Sequence, residues 1–311
     1  MGKIALLFPG QGAQYVGMGK ELYDNFQEFR NVFEKANSIL GYSLEDVCFK
    51  SDEEFLGKTD NTQPALLAVS IATLQLLKST GIEGDMVAGL SLGEYSALVC
   101  SGILTFEDAL QLVQKRGKYM QKCAGETKGT LAAIMGLNLE KVEEIILSIK
   151  DEGIISVANL NCPGQIVIGG EYSLVEKAMR LCEENGAKRA LMLNVSGAFH
   201  TGLMEEASIK LEEEFRKVNI NNKKCNIVMN LTGNFLEEGD DLVEMMKMQV
   251  KSTVKFEESI RKLVESGVDT FIEIGPGKVL SGFVKKIDRK LVTLNIENIE
   301  SFNATLEKVR R

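Results

Sequence analysis

Residues 89–93 read Gly-Leu-Ser-Leu-Gly, a GxSxG pattern between a strand-like run, 86–90, and a helix-like run, 94–99. A serine on a tight strand-to-helix turn is held above the sheet, with the helix N-terminus beside it. The glycines permit the sharp turn, and the Leu92 N–H, next in the chain, is placed to stabilise an oxyanion. The chemistry this permits is nucleophilic attack by the Ser91 hydroxyl. The plainer reading of the same residues is a helix N-cap serine.

A serine hydroxyl needs a base. The chain has one histidine, His200, in Ser196-Gly197-Ala198-Phe199-His200-Thr201. It is either that base or a structural imidazole. Arg116 is the other unusual residue. A helix starting at the Thr105 cap carries Ala109, Leu112, Val113 and Met120 on one stripe, and Arg116 and Gly117 fall on that stripe. A cation there needs a partner. An internal ion pair, a snorkelling stem or a clamp for a substrate carboxylate would each provide for it. The glycine-rich start, residues 10–20, lacks both GxGxxG and the P-loop pattern, which leaves a turn whose N–H groups can point into a site.

The elements that must position these residues alternate. Strands are expected at 3–8, 85–90, 269–274 and 291–295. Helices are expected up to about 41, at 64–80 with Pro64 as first residue, to about 101, at 105–123, 202–217, 241–266, 279–290 and 301–311. The middle reads β-α-β-β-α-β, with strands 130–137, 154–159, 165–169 and 187–195 and helices 139–150 and 172–185, the split pattern of a ferredoxin-like unit. The expected organisation is an α/β domain of residues 1–125 and 195–311, built on a parallel sheet, with a small domain inserted at 126–194.

Composition narrows the function. The 311 residues carry 36 Lys and Arg against 44 Asp and Glu, a net charge of −8, which argues against nucleic acid as main partner. One histidine rules out a multi-histidine metal site, and the six cysteines have no CxxC spacing, so no metal and no disulfide framework are expected. No secretory leader or membrane span is expected: the run 4–8 is too short for a leader, and 64–77 contains Ser70, Thr73 and Gln75. The expectation is a cytoplasmic monomer. Lys285, Lys286, Arg289 and Lys290 form i,i+4 pairs on the helix expected at 279–290, which makes them either a solvated face or a docking patch for an acidic partner. Lys188, Arg189, Arg216 and Lys217 are the next candidates for such a patch.

Taken together, the segments FPGQGAQ (8–14), TQPAL (62–66), GLSLGEYSAL (89–98), QKRG (114–117), ANLNCPGQIVI (158–168), SGAFHT (196–201), Gln249 in KMQV and EIGPGKVL (273–280) resemble the malonyl-CoA–acyl carrier protein transacylase family, over nearly the whole chain and in order. Leu90 departs from the histidine that many relatives have before the nucleophile. The resemblance implies an α/β-hydrolase-like large domain with a ferredoxin-like insert. It implies transfer of malonyl from malonyl-CoA to the phosphopantetheine thiol of acyl carrier protein through a malonyl-Ser91 intermediate, with no bound cofactor. It also implies a Ser91–His200 dyad with the imidazole oriented by the Gln249 carbonyl, and an oxyanion hole from the N–H groups of Gln11 and Leu92. Arg116, Gln63 and Phe199 would then bind substrate, with Arg116 on the malonyl carboxylate and Phe199 crowding a methylmalonyl methyl group. A polyketide-pathway acyltransferase acting in trans and a serine thioesterase are the alternatives.

Overall fold

The apolar run Ala5-Leu6-Leu7-Phe8 shows no polar alternation, which suits a strand covered on both faces. All four residues are buried in the computed structural model, which describes residues 2–310. Met1 and Arg311, at the ends of the expected large domain, lie outside the described residues. The strands are β1 (Lys3–Phe8), β2 (Met86–Gly89), β3 (Gly129–Met135), β4 (Ile155–Cys162), β5 (Gln165–Glu171), β6 (Arg189–Met192), β7 (Asn226–Val228), β8 (Val268–Ile274) and β9 (Val292–Ile296). The α-helices are α1 (Lys20–Asn25), α2 (Gln27–Leu40), α3 (Glu53–Gly57), α4 (Thr59–Ser79), α5 (Gly93–Cys100), α6 (Phe106–Glu126), α7 (Leu139–Ile149), α8 (Tyr172–Glu184), α9 (Glu205–Phe215), α10 (Leu242–Gln249), α11 (Phe256–Glu265), α12 (Val279–Ile287) and α13 (Ile299–Val309).

Two sheets result. The larger is parallel, in the order β7-β2-β1-β8-β9. Leu6 and Phe8 pack on one face with residues of α2, α4, α5 and α6. Ala5 and Leu7 pack on the other with Phe256, Ile260 and Phe283 of α11 and α12. The smaller sheet is antiparallel, in the order β4-β5-β3-β6, the split β-α-β arrangement. Ala132, Ile134, Ile166 and Ile168 pack on Val142, Ile145, Leu174 and Ala178 of α7 and α8, while Leu131 and Val167 turn to the opposite face and join the large core. Among the described residues no helix is long and apolar enough to cross a membrane, and no group of three or more His, Cys, Asp or Glu could hold a metal ion.

Several elements differ from the sequence expectation. Helix α4 begins at Thr59, so Pro64 lies inside it rather than at its start, and only the bond from residue 64 to the Asp60 carbonyl is forfeited. The single helix expected at 241–266 is broken into α10 and α11. The intervening backbone turns to β4 instead, where Leu160 N–H meets the Val254 carbonyl and Val254 N–H meets the Ala158 carbonyl, both at 2.9 Å. β4 itself runs on to Cys162 with two register shifts, leaving a shorter turn, and β6 covers only four of the nine residues expected. The three-residue edge strand β7 carries no sequence signal of its own. The helix expected to reach residue 290 stops at Ile287, where Asp288 is extended.

The GxSxG glycines are required by close approach rather than by a positive φ. A Cβ on Gly93 would overlap the Phe8 carbonyl, and one on Gly89 would overlap the Gly93 backbone. Gly93→Ala is expected to destabilise the protein by about 1–3 kcal/mol, read as a lower denaturant midpoint. Gly125→Ala, inside α6 with open space around it, should instead stabilise by up to about 1 kcal/mol. Equal midpoints for the two variants would show that the β1–α5 contact is not tight.

Candidate active site

Ser91 lies between β2 and α5 with φ 55°, and His200 has φ 62°. They are the only two non-glycine residues with positive φ among those described. A left-handed backbone at such residues costs on the order of 1–3 kcal/mol and persists only where the surroundings enforce it. Asn230, just beyond β7, does so for the serine turn. Its Oδ1 accepts the Ser91 N–H at 2.6 Å, and its Nδ2 donates to the Gly89 carbonyl at 2.6 Å. His200 is pinned by its own N–H, which donates to the Val250 carbonyl at 3.0 Å.

The two side chains meet. Ser91 Oγ is 2.7 Å from His200 Nε2, and His200 Nδ1 is 2.7 Å from the Gln249 carbonyl oxygen. A carbonyl can only accept, so Nδ1 carries the proton and Nε2 turns its lone pair to the hydroxyl. The break between α10 and α11 is what frees the Gln249 carbonyl region for this contact. Burial, with Arg116 second, pushes the imidazole down to about 3. The backbone N–H groups of Gln11 and Leu92 have no acceptor among the described residues, and Leu92 precedes the first residue of α5.

Arg116 is 2% exposed, and no carboxylate among the described residues bonds it. Its Nη1 donates to Gln63 Oε1 at 2.9 Å, and its Nη2 donates to Gln249 Oε1 at 3.1 Å and to Ser91 Oγ at 3.2 Å. The Tyr95 ring lies 5.5 Å away, and Nε has no partner among the described residues. Burial lowers the guanidinium pKa, opposed by Tyr95 and Glu94. Gly117 lets α4 come close, since a Cβ there would stand 2.8 Å from Asp60 Cα. The earlier start of α4 also matters, because Gln63 and Thr59 both reach the site from it. Thr59 Oγ1 accepts from the Gln11 side chain at 3.2 Å.

A cavity of about 160 Å³ joins these groups. Ser91, His200, Arg116, Gln11, Leu90 and Phe199 line it from the large sheet's side, and Leu131, Asn159, Asn161 and Val167 line it from the small sheet. Beside it runs an open groove of about 610 Å³ that shares Gln11 and Val195 and includes Tyr15, Glu53, Lys58 and Ser196.

Four polar residues of this region escape the sequence reading. Asn230 has no motif. Asn159 and Asn161 face the cavity because of the β4 register shifts, and Asn161 Oδ1 is buried with no partner among the described residues. Glu94 is fully buried, and burial pushes it up to about 7 against the pull of Asn230, Gln249 and Arg116. An acidic residue in the otherwise uncharged stretch 89–100 was the available signal.

The basic cluster does not form a helical face, because α12 ends at Ile287 and Arg289 and Lys290 lie beyond it. Lys285 Nζ turns back to the Leu291 and Arg289 carbonyls. Lys286 Nζ reaches Gln165 Oε1 at 3.0 Å. Gln165, Met135 and Arg189 are successive partners across β5, β3 and β6, so Lys286, Lys188 and Arg189 share one end of the small sheet. Arg216 and Lys217 are ion-paired with Glu212 and Glu214.

The imidazole geometry gives a direct test. His200 is the only histidine, so its NMR signals are unambiguous. It should stay neutral, with the proton on Nδ1, as pH falls through 6.5, and protonate only well below that. Since the unfolded chain takes up this proton near 6.5 and the folded one does not, the residue makes stability fall as pH drops from 6.5 toward about 3. A midpoint near 6.5 would contradict the buried geometry.

The chain matches the acyl transferase domain family over residues 5–301. It is 46% identical over 311 residues to the malonyl CoA-acyl carrier protein transacylase of Bacillus subtilis, covering 100% of this chain and 98% of that protein. Among solved structures it is similar to the malonyl CoA-acyl carrier protein transacylase of Clostridium perfringens, with 47% identity, a TM-score of 0.96 and coverage of 99% of this chain and 97% of the other. It is also similar to a malonyl-transacylase solved in complex with a type II polyketide synthase acyl-carrier protein, with 36% identity, a TM-score of 0.95 and coverage of 98% and 99%. With this match across both sheets and every segment of the site, the chain belongs to the acyl transferase domain family and, within it, to the malonyl CoA-acyl carrier protein transacylases.

Proposed function

We propose that the protein transfers a malonyl group from malonyl-CoA to the phosphopantetheine thiol of acyl carrier protein, in two half-reactions through Ser91. The observation that carries this reading is that Ser91 Oγ lies 2.7 Å from the unprotonated His200 nitrogen and 3.2 Å from a buried guanidinium. The first contact activates a nucleophile, and the second provides for an acyl group that ends in a carboxylate. Ser91 Oγ attacks the thioester carbonyl while its proton passes to His200 Nε2. The developing oxyanion takes the N–H groups of Gln11 and Leu92. Collapse breaks the C–S bond, and the imidazolium returns the proton to the departing CoA thiolate. The carrier-protein thiol then gives its proton to His200 and attacks the malonyl ester; collapse breaks the C–O bond to Ser91, and the imidazolium returns the proton to Ser91 Oγ. Phe199, buried in the cavity wall beside His200, opposes an added α-methyl, a discrimination of roughly 1–3 kcal/mol for one such group.

Intact mass after mixing with malonyl-CoA or acetyl-CoA tests the core of this. Wild type should carry a malonyl adduct that disappears on adding carrier protein, and Ser91→Ala should carry none. Arg116→Ala should lose malonyl loading and gain relative acetyl loading, because acetyl has no charge to pair. A stable adduct on Ser91→Ala, or an unchanged malonyl preference in Arg116→Ala, would remove the respective assignment.

For the carrier protein, an acidic partner must approach a chain of net charge −8, so a local positive face is needed. Lys188, Arg189 and Lys286 supply one, with Arg289 and Lys290 exposed beside it. Two strand spacings, about 10 Å, separate the Arg189 and Gln165 positions. Reversing Arg189 and Lys286 to Glu should raise the KM for carrier protein while loading from malonyl-CoA stays near wild type. Added salt should weaken wild-type transfer more than that of the variant. Equal carrier-protein kinetics at low salt would move the docking face elsewhere.

A further inference from the structure

Glu94 is fully buried at the second position of α5, and no step above uses it. Its Oε1 accepts the Asn230 backbone N–H at 2.6 Å, and its Oε2 accepts Gln249 Nε2 at 2.7 Å. Both partners are donors, so both carboxyl oxygens must accept. The same Gln249 nitrogen donates to the Ser91 carbonyl at 2.8 Å, and its Oε1 takes Arg116 Nη2 at 3.1 Å. A half-turn of this amide would set its oxygen against the Ser91 carbonyl and the Glu94 carboxylate. It would also set its NH2 against the guanidinium. Glu94 therefore decides which end of Gln249 faces Arg116.

We propose that Glu94 is a positioning residue that sets the preference for carboxylate-bearing acyl groups: ionised between Asn230 and Gln249, it locks the Gln249 amide oxygen onto Arg116 and supplies the countercharge that keeps the guanidinium aimed at the acyl pocket. This rests on the reading of Arg116 as the carboxylate partner. The charged and titratable groups around Glu94 are Arg116 from α6 and Tyr95 from α5. The loop after β7 and helix α10 present the neutral Asn230 and Gln249.

Glu94→Gln keeps the size and removes one acceptor. The backbone N–H of Asn230 is fixed, so it holds the remaining oxygen. The new NH2 then faces Gln249 and drives the half-turn. Protonation does the same by turning one oxygen into a donor, so low pH should imitate the variant. The ionised form is the competent one, and the preference is lost as pH falls.

The experiment compares kcat/KM for acyl-enzyme formation from malonyl-CoA and acetyl-CoA in wild type, Glu94→Gln and Arg116→Ala, from about pH 8 to about pH 5.5. The ratio of the two substrates cancels the shared contribution of His200. Glu94→Gln should lower the malonyl-to-acetyl ratio by about tenfold or more. In wild type the ratio should fall as pH drops below about 7, whereas in Glu94→Gln it should be flat. A wild-type ratio in the variant, or parallel loss of both substrates, overturns the proposal. So does a ratio in wild type that does not change with pH, a measurement that needs no variant to fold. If wild type shows no malonyl preference, or Arg116→Ala keeps it, the reading of Arg116 fails and the proposal with it. If those two behave as expected and Glu94→Gln alone does not, only the role of Glu94 falls.

Discussion

A guanidinium removed from water must be hydrogen-bonded, yet a carboxylate bonded directly to it would use up the charge. Arg116 meets both demands at its two terminal nitrogens with neutral oxygens, and only Nε is left without a partner among the described residues. Gln63 holds one nitrogen, Gln249 and Ser91 Oγ hold another, and the compensating carboxylate of Glu94 stands one amide away. The positive charge thus stays available 3.2 Å from the serine hydroxyl. Much of the surrounding structure follows from supplying those oxygens. Helix α4 has to start before Pro64 and run close to α6 at Gly117 so that Gln63 reaches Nη1. Helix α10 has to stop at Gln249 so that its side chain serves Arg116 while its carbonyl serves His200.

The same economy appears in the backbone. Left-handed conformations at Ser91 and His200 are unfavourable, and each is held by hydrogen bonds from a segment distant in sequence: Asn230 for the first, and Val250 with Gln249 for the second. The loop after β7 and the break between α10 and α11 are irregular for that reason. Their groups leave regular secondary structure and bond instead to Ser91, His200 and β4.

These irregular segments also mark where sequence reasoning stops. The strand–GLSLG–helix turn, the single histidine and the cation on an apolar stripe were all visible, because each is a local pattern or a local violation of one. The β-α-β-β-α-β succession of the small unit was visible as well, in its alternating strand and helix periods. What periodicity cannot report is a long-range hydrogen bond. Residues 241–266 have continuous helical character, and only the competing partners on β4 and His200 show why the helix breaks. Helix α12 stops at an Asp288 that composition does not flag, and with it the supposed row of four cations disappears. Asn230 looks like any loop asparagine until its three 2.6 Å bonds to residues 89, 91 and 94 are seen.

The two sheets divide the work unequally. Ser91, His200, Arg116, Gln63 and Gln249 all come from the segments around the parallel sheet, where positions are fixed by a continuous core. The antiparallel sheet offers only cavity wall: Leu131 and Val167 from strand faces, Asn159 and Asn161 from the shifted part of β4. The boundary between the two sheets is tied together, since Leu131 and Val167 join the large core and β4 is hydrogen-bonded to the α10–α11 break through Val254. The groove that shares Gln11 and Val195 with the cavity runs to that same boundary. Its walls are the loop after β1, helix α3, Gln121 of α6 and residues 194–196, so it opens onto the cavity beside Gln11, chiefly between segments of the parallel-sheet side.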